Sequence, residues 1–266
     1  ILDHCIHHLE KQTIADDIEV IVIHDGQDDK TDALFDNTAF HITVRYGSIP
    51  KSQQGVARNV AVQKAQASTC LFIGDDIFLE SHACEHHLAA HRKIAEQEKG
   101  PAAVLGFTTW DPAVGTNDVM HWLETSGWQF GYPKIQKYKH HFLPKKIAHK
   151  FTYTSHVSVS TEIARAHPFN KDVKMYGWED VHWGAELRDA NVHLYYEPDA
   201  RALHHHFISM EDSLKRMETL GKSIAAFPSL DRRPTGWKLW AYRLSALLPT
   251  MVGRHRRAFL KGLQGQ

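Results

Sequence analysis

Two adjacent carboxylates, Asp75 and Asp76, follow an apolar run of strand length and a glycine in Thr69–Glu80, TCLFIGDDIFLE. The run predicts a buried parallel strand with both acids at its C-terminal tip, where the ligands of open α/β sheets collect. A strand that merely ends in an acidic turn is the plain alternative. A second acidic strand end stands at Asp25–Gly26, after the apolar run IEVIVI of Ile18–Ile23. A second carboxylate pair, Glu179 and Asp180, follows the glycine turn of Lys174–Asn191, KMYGWEDVHWGAELRDAN. These acids fall in the first turn of a predicted helix, where negative charge is favoured by about 0.3–1 kcal/mol whatever else it does. Imidazoles gather twice, as His82, His86, His87 and His91 on a helix predicted from about Ser81 to Glu98, and as His204, His205 and His206. The i, i+4 spacing of the first group can bind a metal. With no carboxylate or cysteine in register, it reads rather as a solvated helix face.

The elements that must position these groups alternate. After Ile18–Ile23, the polar HDGQDDKTD signals a turn. A short strand is expected at His41–Tyr46 and a helix at Gln54–Ala67, with Val56, Val60, Ala61 and Ala65 on one face and Arg58 near its start. Further strands are expected at Ala102–Thr108, within Phe151–Ser160 with His156 and Ser158 facing one way, and at Val192–Tyr196. This order predicts an α/β fold with a mainly parallel central sheet flanked by helices. Trp110, Trp122 and Trp128 either stack on sugar rings or pack a loop-rich lobe onto the sheet.

The chain has 266 residues, enough for a substantial core, and its 31 basic side chains equal its 31 acidic ones, so nothing in the balance demands a nucleic acid partner. Three cysteines, Cys5, Cys70 and Cys84, lack metal-type spacing and fit a reducing cytosol. No run reaches the roughly 18 apolar residues of a membrane span. The first residue, Ile1, falls inside a helix-like pattern, which suggests a native start further upstream. Beyond residue 207 the stripe Met210, Leu214, Met217, Leu220 and Ile224 predicts a helix packed back on the preceding chain. After a break at Pro228–Pro234, the tail from Arg232 to Gln266 holds eight basic residues and no acidic one. Its apolar face, Trp237, Trp240, Leu244, Leu247, Leu248 and Met251, reads equally as a membrane-surface or partner-docking helix and as a terminal helix buried on its own domain.

Four segments together resemble the family-2 inverting glycosyltransferases of GT-A fold: VIHDGQDDKTD, GVARNVAVQKA, FIGDDI and GWEDVHWGAELRDANVHLYYEPDARALHHH. The likeness covers residues 1–207 and implies a catalytic domain there, with 208–266 as a C-terminal helical extension. Gly74 takes the place of the first aspartate of the family's DxD motif, and the family's first strand is missing from the pattern.

The resemblance implies an inverting, metal-dependent transfer of a sugar from a nucleotide sugar, with a UDP-sugar as the expected donor, to a saccharide or lipid-linked acceptor in cell-surface glycan synthesis. The expected location is the cytoplasm, or peripherally the inner face of the plasma membrane. Asp76 would be the metal carboxylate, Asp75 would sit by the ribose, and His204 would be the imidazole ligand, with His205 or His206 able to take that place. A carboxylate, water and diphosphate suit Mg²⁺ or Mn²⁺, and an imidazole shifts the preference toward Mn²⁺. Asp180 would be the base, Glu179 would hold the acceptor, Asp25 would read the nucleotide base, and Arg58 would lie near the base or diphosphate. A sugar nucleotidyltransferase and a noncatalytic carbohydrate-binding relative are the alternative readings.

Overall fold

The computed structural model describes residues 1–172, 177–224, 227 and 233–264. Lys174–Tyr176, in the run before the Glu179–Asp180 pair, lie outside the described residues, as do Arg232 and most of the Pro228–Pro234 break. The first half runs α1 (Leu2–Glu10), β1 (Glu19–Asp25), α2 (Asp29–Asn37), β2 (Thr43–Ile49), α3 (Gln54–Lys64), β3 (Thr69–Ile73), β4 (Ile77–Leu79), α4 (Ala83–Glu96) and β5 (Ala102–Trp110). The second half runs α5 (Asp118–Ser126), α6 (Tyr132–Ile135), β6 (His141–Phe142), α7 (Lys145–Ala148), β7 (His156–Ser160), α8 (Thr161–Ala166), α9 (Glu179–Asp189), β8 (His193–His204), α10 (Met210–Ser223), α11 (Gly236–Ala246) and α12 (Met251–Gln264). The α2 segment, expected as a turn, is a helix that Asp28 caps, its side chain accepting from the Lys30 amide at 3.3 Å.

The α/β class and the flanking helices are as expected, but the sheet is mixed rather than mainly parallel. A six-stranded sheet has the order β3-β7-β5-β8-β4 with β6 on β8, and a separate pair joins β1 to β2. Parallel pairing is confined to β1–β2 and β5–β8. β7 lies antiparallel between β3 and β5, and β4 and β6 are antiparallel to β8. The strand before Asp75 is therefore an edge strand with an antiparallel neighbour. An apolar run reports burial and not direction, and the excursion through α5–α7 returns the chain reversed.

The sheet is covered on both faces, as period-2 alternation requires. Ala103, Leu105, Val157, Val159, Leu194 and Tyr196 face a core with Trp183 and Leu187 of α9 and with Phe169. Val104 and Tyr195 face Ala90 and Ile94 of α4. His156 and Ser158 share that second face and take α4's histidines with them. His87 Nδ1 and His91 Nε2 each lie 2.8 Å from Ser158 Oγ, and His87 is buried against His156 with ring centroids 5.0 Å apart. Two of the four histidines expected on a solvated face are thus turned inward, drawn by the Ser158 hydroxyl.

The tail is two helices with opposite fates. α12 packs on α10 through glycines: a Cβ at Gly221 would stand 2.2 Å from the Phe259 carbonyl oxygen, and one at Gly262 would stand 2.0 Å from that of Glu218. α11 leaves Trp237, Trp240 and Leu244 exposed, and the turn after it exposes Leu247 and Leu248. No described helix is long and apolar enough to cross a membrane.

Candidate active site

Because β7 is antiparallel to both β3 and β5, and β8 is parallel to β5, strands β3, β5 and β8 run one way. Their C-terminal ends open on one edge of the sheet. Asp75 and Asp76 follow β3, Asp111 follows β5, and His204 closes β8 opposite Trp110 on one side and Ile77 on the other. Asp76 Oδ2 lies 3.1 Å from His204 Nε2 and 3.4 Å from His206 Nδ1. His205 points the other way, its Nδ1 2.6 Å from Asp111 Oδ2 and its ring stacked on Phe78, while its amide donates to the Asp76 carbonyl at 2.8 Å. Alternation along an extended chain explains why the first and third histidines of the triplet share a side.

The His204 ring is held by stacking on buried Trp110, centroids 5.1 Å apart, and by the edge of Phe130 at 5.5 Å. Trp110 is fixed in turn by donating its indole N–H to the Met120 carbonyl at 3.0 Å. Trp122 and Trp128 pack on each other and on His255 of α12, so all three tryptophans pack the protein interior.

The electrostatics separate the two adjacent aspartates. Burial works to raise the Asp76 pKa, but the hydrogen bonds from His204 and His206 outweigh it and hold the carboxyl well below the usual range. The same bond raises His206. Asp75 goes up, first through burial and then through the charge of Asp76. The ligand atoms of Asp76, His204 and His206 lie within 4.8 Å of one another. His204 Nδ1 is buried with no hydrogen-bond partner. One carboxylate with two imidazoles fits Mn²⁺ or another first-row divalent ion better than Mg²⁺, which favours oxygen alone. Gly74 protects this geometry, since a Cβ there would stand 2.7 Å from Asp76 Oδ1.

The second carboxylate pair opens α9. Burial first, and then the charge of Glu179, push the Asp180 carboxyl up to about 6, against the opposing pull of the Val181 amide, Arg58 and Arg216. Glu179 turns back, accepting the Gly177 amide at 2.8 Å. Gly177 has φ +132°, a conformation strained for any other residue, and a Cβ on it would crowd Leu220 Cδ2 of α10 at 2.4 Å. Trp178 Nε1 donates to the Leu220 carbonyl at 3.1 Å and ties the same turn to α10.

Arg58, on α3, stacks over Phe169 at 5.6 Å, and its Nη2 donates to Gln54 Oε1 at 3.3 Å. Its charge acts on Asp180. Asp25 is engaged elsewhere: its Oδ1 accepts the amides of Ser52 at 2.6 Å and Gln53 at 3.2 Å, and its Oδ2 pairs with Lys51 at 2.9 Å. Burial would raise its pKa, and these partners together lower it. The structure thus brings Asp76 and His204 together with His206, and Arg58 with Asp180, and ties Asp25 to the loop entering α3. Arg216 is a residue that sequence reasoning missed. On α10, it donates to Gln129 Oε1, and its charge acts on both His206 and Asp180. One arginine beside a helical stripe carries no sequence signal of that position.

The fold and sequence comparisons agree with this architecture. The crystal structures of S. aureus TarS 1-349 in complex with UDP-GlcNAc and with UDP align with 100% of this chain and 88% of theirs, at TM-score 0.54 and 15% identity. The crystal structure of S. aureus TarS aligns at TM-score 0.51 and 15% identity over 83% of this chain and 36% of that one, so the chain spans about a third of that protein. At such identity the likeness is one of fold. No curated protein matches the sequence. Residues 1–155, more than half of the chain, match the Glycosyl transferase family 2, and the chain belongs to that family.

Proposed function

We propose that this glycosyltransferase moves a sugar from a nucleotide sugar, with UDP as the nucleotide, to a saccharide or lipid-linked acceptor in cell-surface glycan synthesis, with inversion at the anomeric carbon and dependence on a divalent cation. The observation that carries the reading is the convergence of Asp76, His204 and His206 within ligating reach of one another at the shared C-terminal strand ends. The UDP and UDP-GlcNAc complexes of TarS, alike in fold, support the donor class.

Asp76, His204 and His206 would hold Mn²⁺, which as a Lewis acid offsets charge on a departing diphosphate. Asp75, at the mouth, hydrogen-bonds the ribose. Arg58 and Arg216 bring permanent positive charge to the neighbourhood of the diphosphate. Asp25 and the loop that clasps it receive the nucleotide base. Asp180 accepts the proton of the attacking acceptor hydroxyl, and a pKa of about 6 suits that task near neutral pH. Glu179 orients the acceptor through the turn it closes. Residues 1–207 act as the catalytic domain and 208–266 as a helical extension that brings the enzyme to the inner face of the plasma membrane.

A thermal-shift screen of nucleotide sugars with and without Mn²⁺, followed by a transfer assay that detects released nucleoside diphosphate, tests the reading. A shift with UDP-sugars that depends on Mn²⁺ is expected. No shift with any nucleotide sugar, or equal shifts in a chelator, would overturn the metal-borne donor.

A further inference from the structure

α11 presents an apolar stripe that nothing among the described residues covers. Trp237 is 77% exposed, Trp240 65% and Leu247 76%, with Leu244 and Leu248 about half exposed. Trp237, Trp240 and Leu244, spaced three and four, lie on one side of a helix that turns ~100° per residue, and Leu247 and Leu248 follow in the turn just past its end. The opposite side is spent inside: Ala246 is buried, and Tyr242 packs on Phe259 of α12. Exposed Lys238 and Arg243 border the stripe on its two sides.

The stripe is held on a firm mount. Arg256 stacks over Tyr242 at 4.5 Å and donates to Ser245 Oγ at 2.5 Å. Arg257 donates to the carbonyls of Ala246 and Leu248 at the end of α11. Between residues 233 and 264 there are seven lysines and arginines and no acidic side chain; Arg256 and Arg257 are spent on α11 and Lys261 pairs with Glu218 of α10 at 2.8 Å, while Lys238 and Arg243 stand beside the stripe. A protein partner of mixed charge would call for acids as well as bases in such a surface. A helix without acids, with a lysine and an arginine bordering its aromatic and leucine side chains, complements an anionic, apolar-cored sheet of lipid.

We infer that the Trp237–Trp240–Leu244 face of α11, with Leu247 and Leu248 of the turn that follows it, docks the enzyme on an anionic lipid bilayer, with the two indoles at the headgroup level and Lys238 and Arg243 against the headgroups. The inference deepens the peripheral location proposed above and stands apart from the transfer chemistry. Each basic residue brought to the surface multiplies partitioning by roughly fivefold, and salt screens that gain.

The test is co-sedimentation of the full chain with vesicles of phosphatidylcholine alone and of phosphatidylcholine with phosphatidylserine, at low salt and at roughly 1 M salt. Two variants accompany it, Trp237→Ser with Trp240→Ser, and Lys238→Glu with Arg243→Glu. The wild type is expected to favour the anionic vesicles by at least about tenfold and to lose that preference in high salt. Each variant should lose about tenfold in binding while keeping the wild-type melting temperature, donor binding and transfer to a soluble acceptor. Equal partitioning onto both vesicles, or unchanged binding by the tryptophan variant, overturns the inference. A concentration-dependent dimer that the same substitutions abolish, with no vesicle binding, overturns it in favour of self-association. Loss of donor binding or transfer in the wild type would instead count against the catalytic reading, so the two failures are distinct.

Discussion

Asp76 and Asp180 are both shielded carboxylates, yet their surroundings push them in opposite directions, a contrast that fits the different work proposed for them. Asp76 is held ionised by two imidazoles, which suits the cation ligand proposed here. Asp180 is raised to about 6, poised to take up a proton. Asp76→Ala is expected to abolish Mn²⁺-dependent donor binding, read by calorimetry. Asp180→Asn should leave donor affinity intact and lower turnover by ~10²-fold or more, because the amide is nearly isosteric and accepts no proton. If the asparagine variant turns over at a near-normal rate, the base lies elsewhere. A pH profile gives an independent reading. If Asp180 is the base it works only when ionised, so turnover should be flat above its pKa and fall about tenfold per unit as pH drops below about 6. That acid limb should vanish from the residual rate of Asp180→Asn. At Gly74 the departure from DxD becomes a constraint. A side chain there must displace the Asp76 carboxylate 2.7 Å from its Cβ, so Gly74→Asp, which restores the family pattern on paper, is expected to weaken Mn²⁺ affinity about tenfold or more. Unchanged affinity would show that Asp76 has room to turn.

At the scale of elements, apolar runs and glycine turns made most of the scaffold legible. The strands of Ile18–Ile23, Thr69–Ile73 and Ala102–Thr108 and the helix of Glu179–Asp180 fall where periodicity and acidic caps put them, within a few residues. Strand direction was not legible, because burial on both faces looks the same whichever way a neighbour runs. Nor was the inward turn of α4, since His87 and His91 find their partner Ser158 in a strand far along the chain. Of the site, Asp76 and His204 were marked by motif, whereas His206 needed the alternation of three consecutive histidines and Arg216 needed the packing of α10. The buried histidines carry a consequence for stability. Burial lowers His87, and it lowers His91 to about 4 and His156 to about 3. The unfolded chain takes up protons near pH 6.5 that the folded protein refuses, so their contribution is whole above that pH and is lost as pH falls toward about 4. The melting temperature should drop by more than about 5 °C between pH 7 and pH 5, and a His87→Gln, His156→Gln variant should drop less. An equal drop in both would place the acid sensitivity elsewhere.

On the scale of the whole molecule, α10 links regions that are far apart in sequence. It carries Arg216 to the carboxylates, backs the turn before Asp180 through Leu220, and receives α12 on glycines. The C-terminal helices are thus part of the site's support and not a loose appendage. The sheets divide the molecule differently. β1 bonds only to β2 among the described strands, and no ladder joins that pair to the six-stranded sheet. Side chains provide links instead, with the Glu19 carboxylate accepting the amides of Gln66 and Ala67 just before β3, and Arg45 Nη2 of β2 donating to Gln66 Oε1 at 2.7 Å. Cooperative protection against deuterium uptake spreads through continuous ladders. Amides of β5 and β8 should therefore exchange only on global unfolding, while those of β1 and β2 exchange through a cheaper local opening and slow down when a nucleotide sugar engages Asp25. The carboxylates after β3 sit on the durable part of the molecule and Asp25 on the yielding part, so the donor's two ends would be gripped by regions with different clocks.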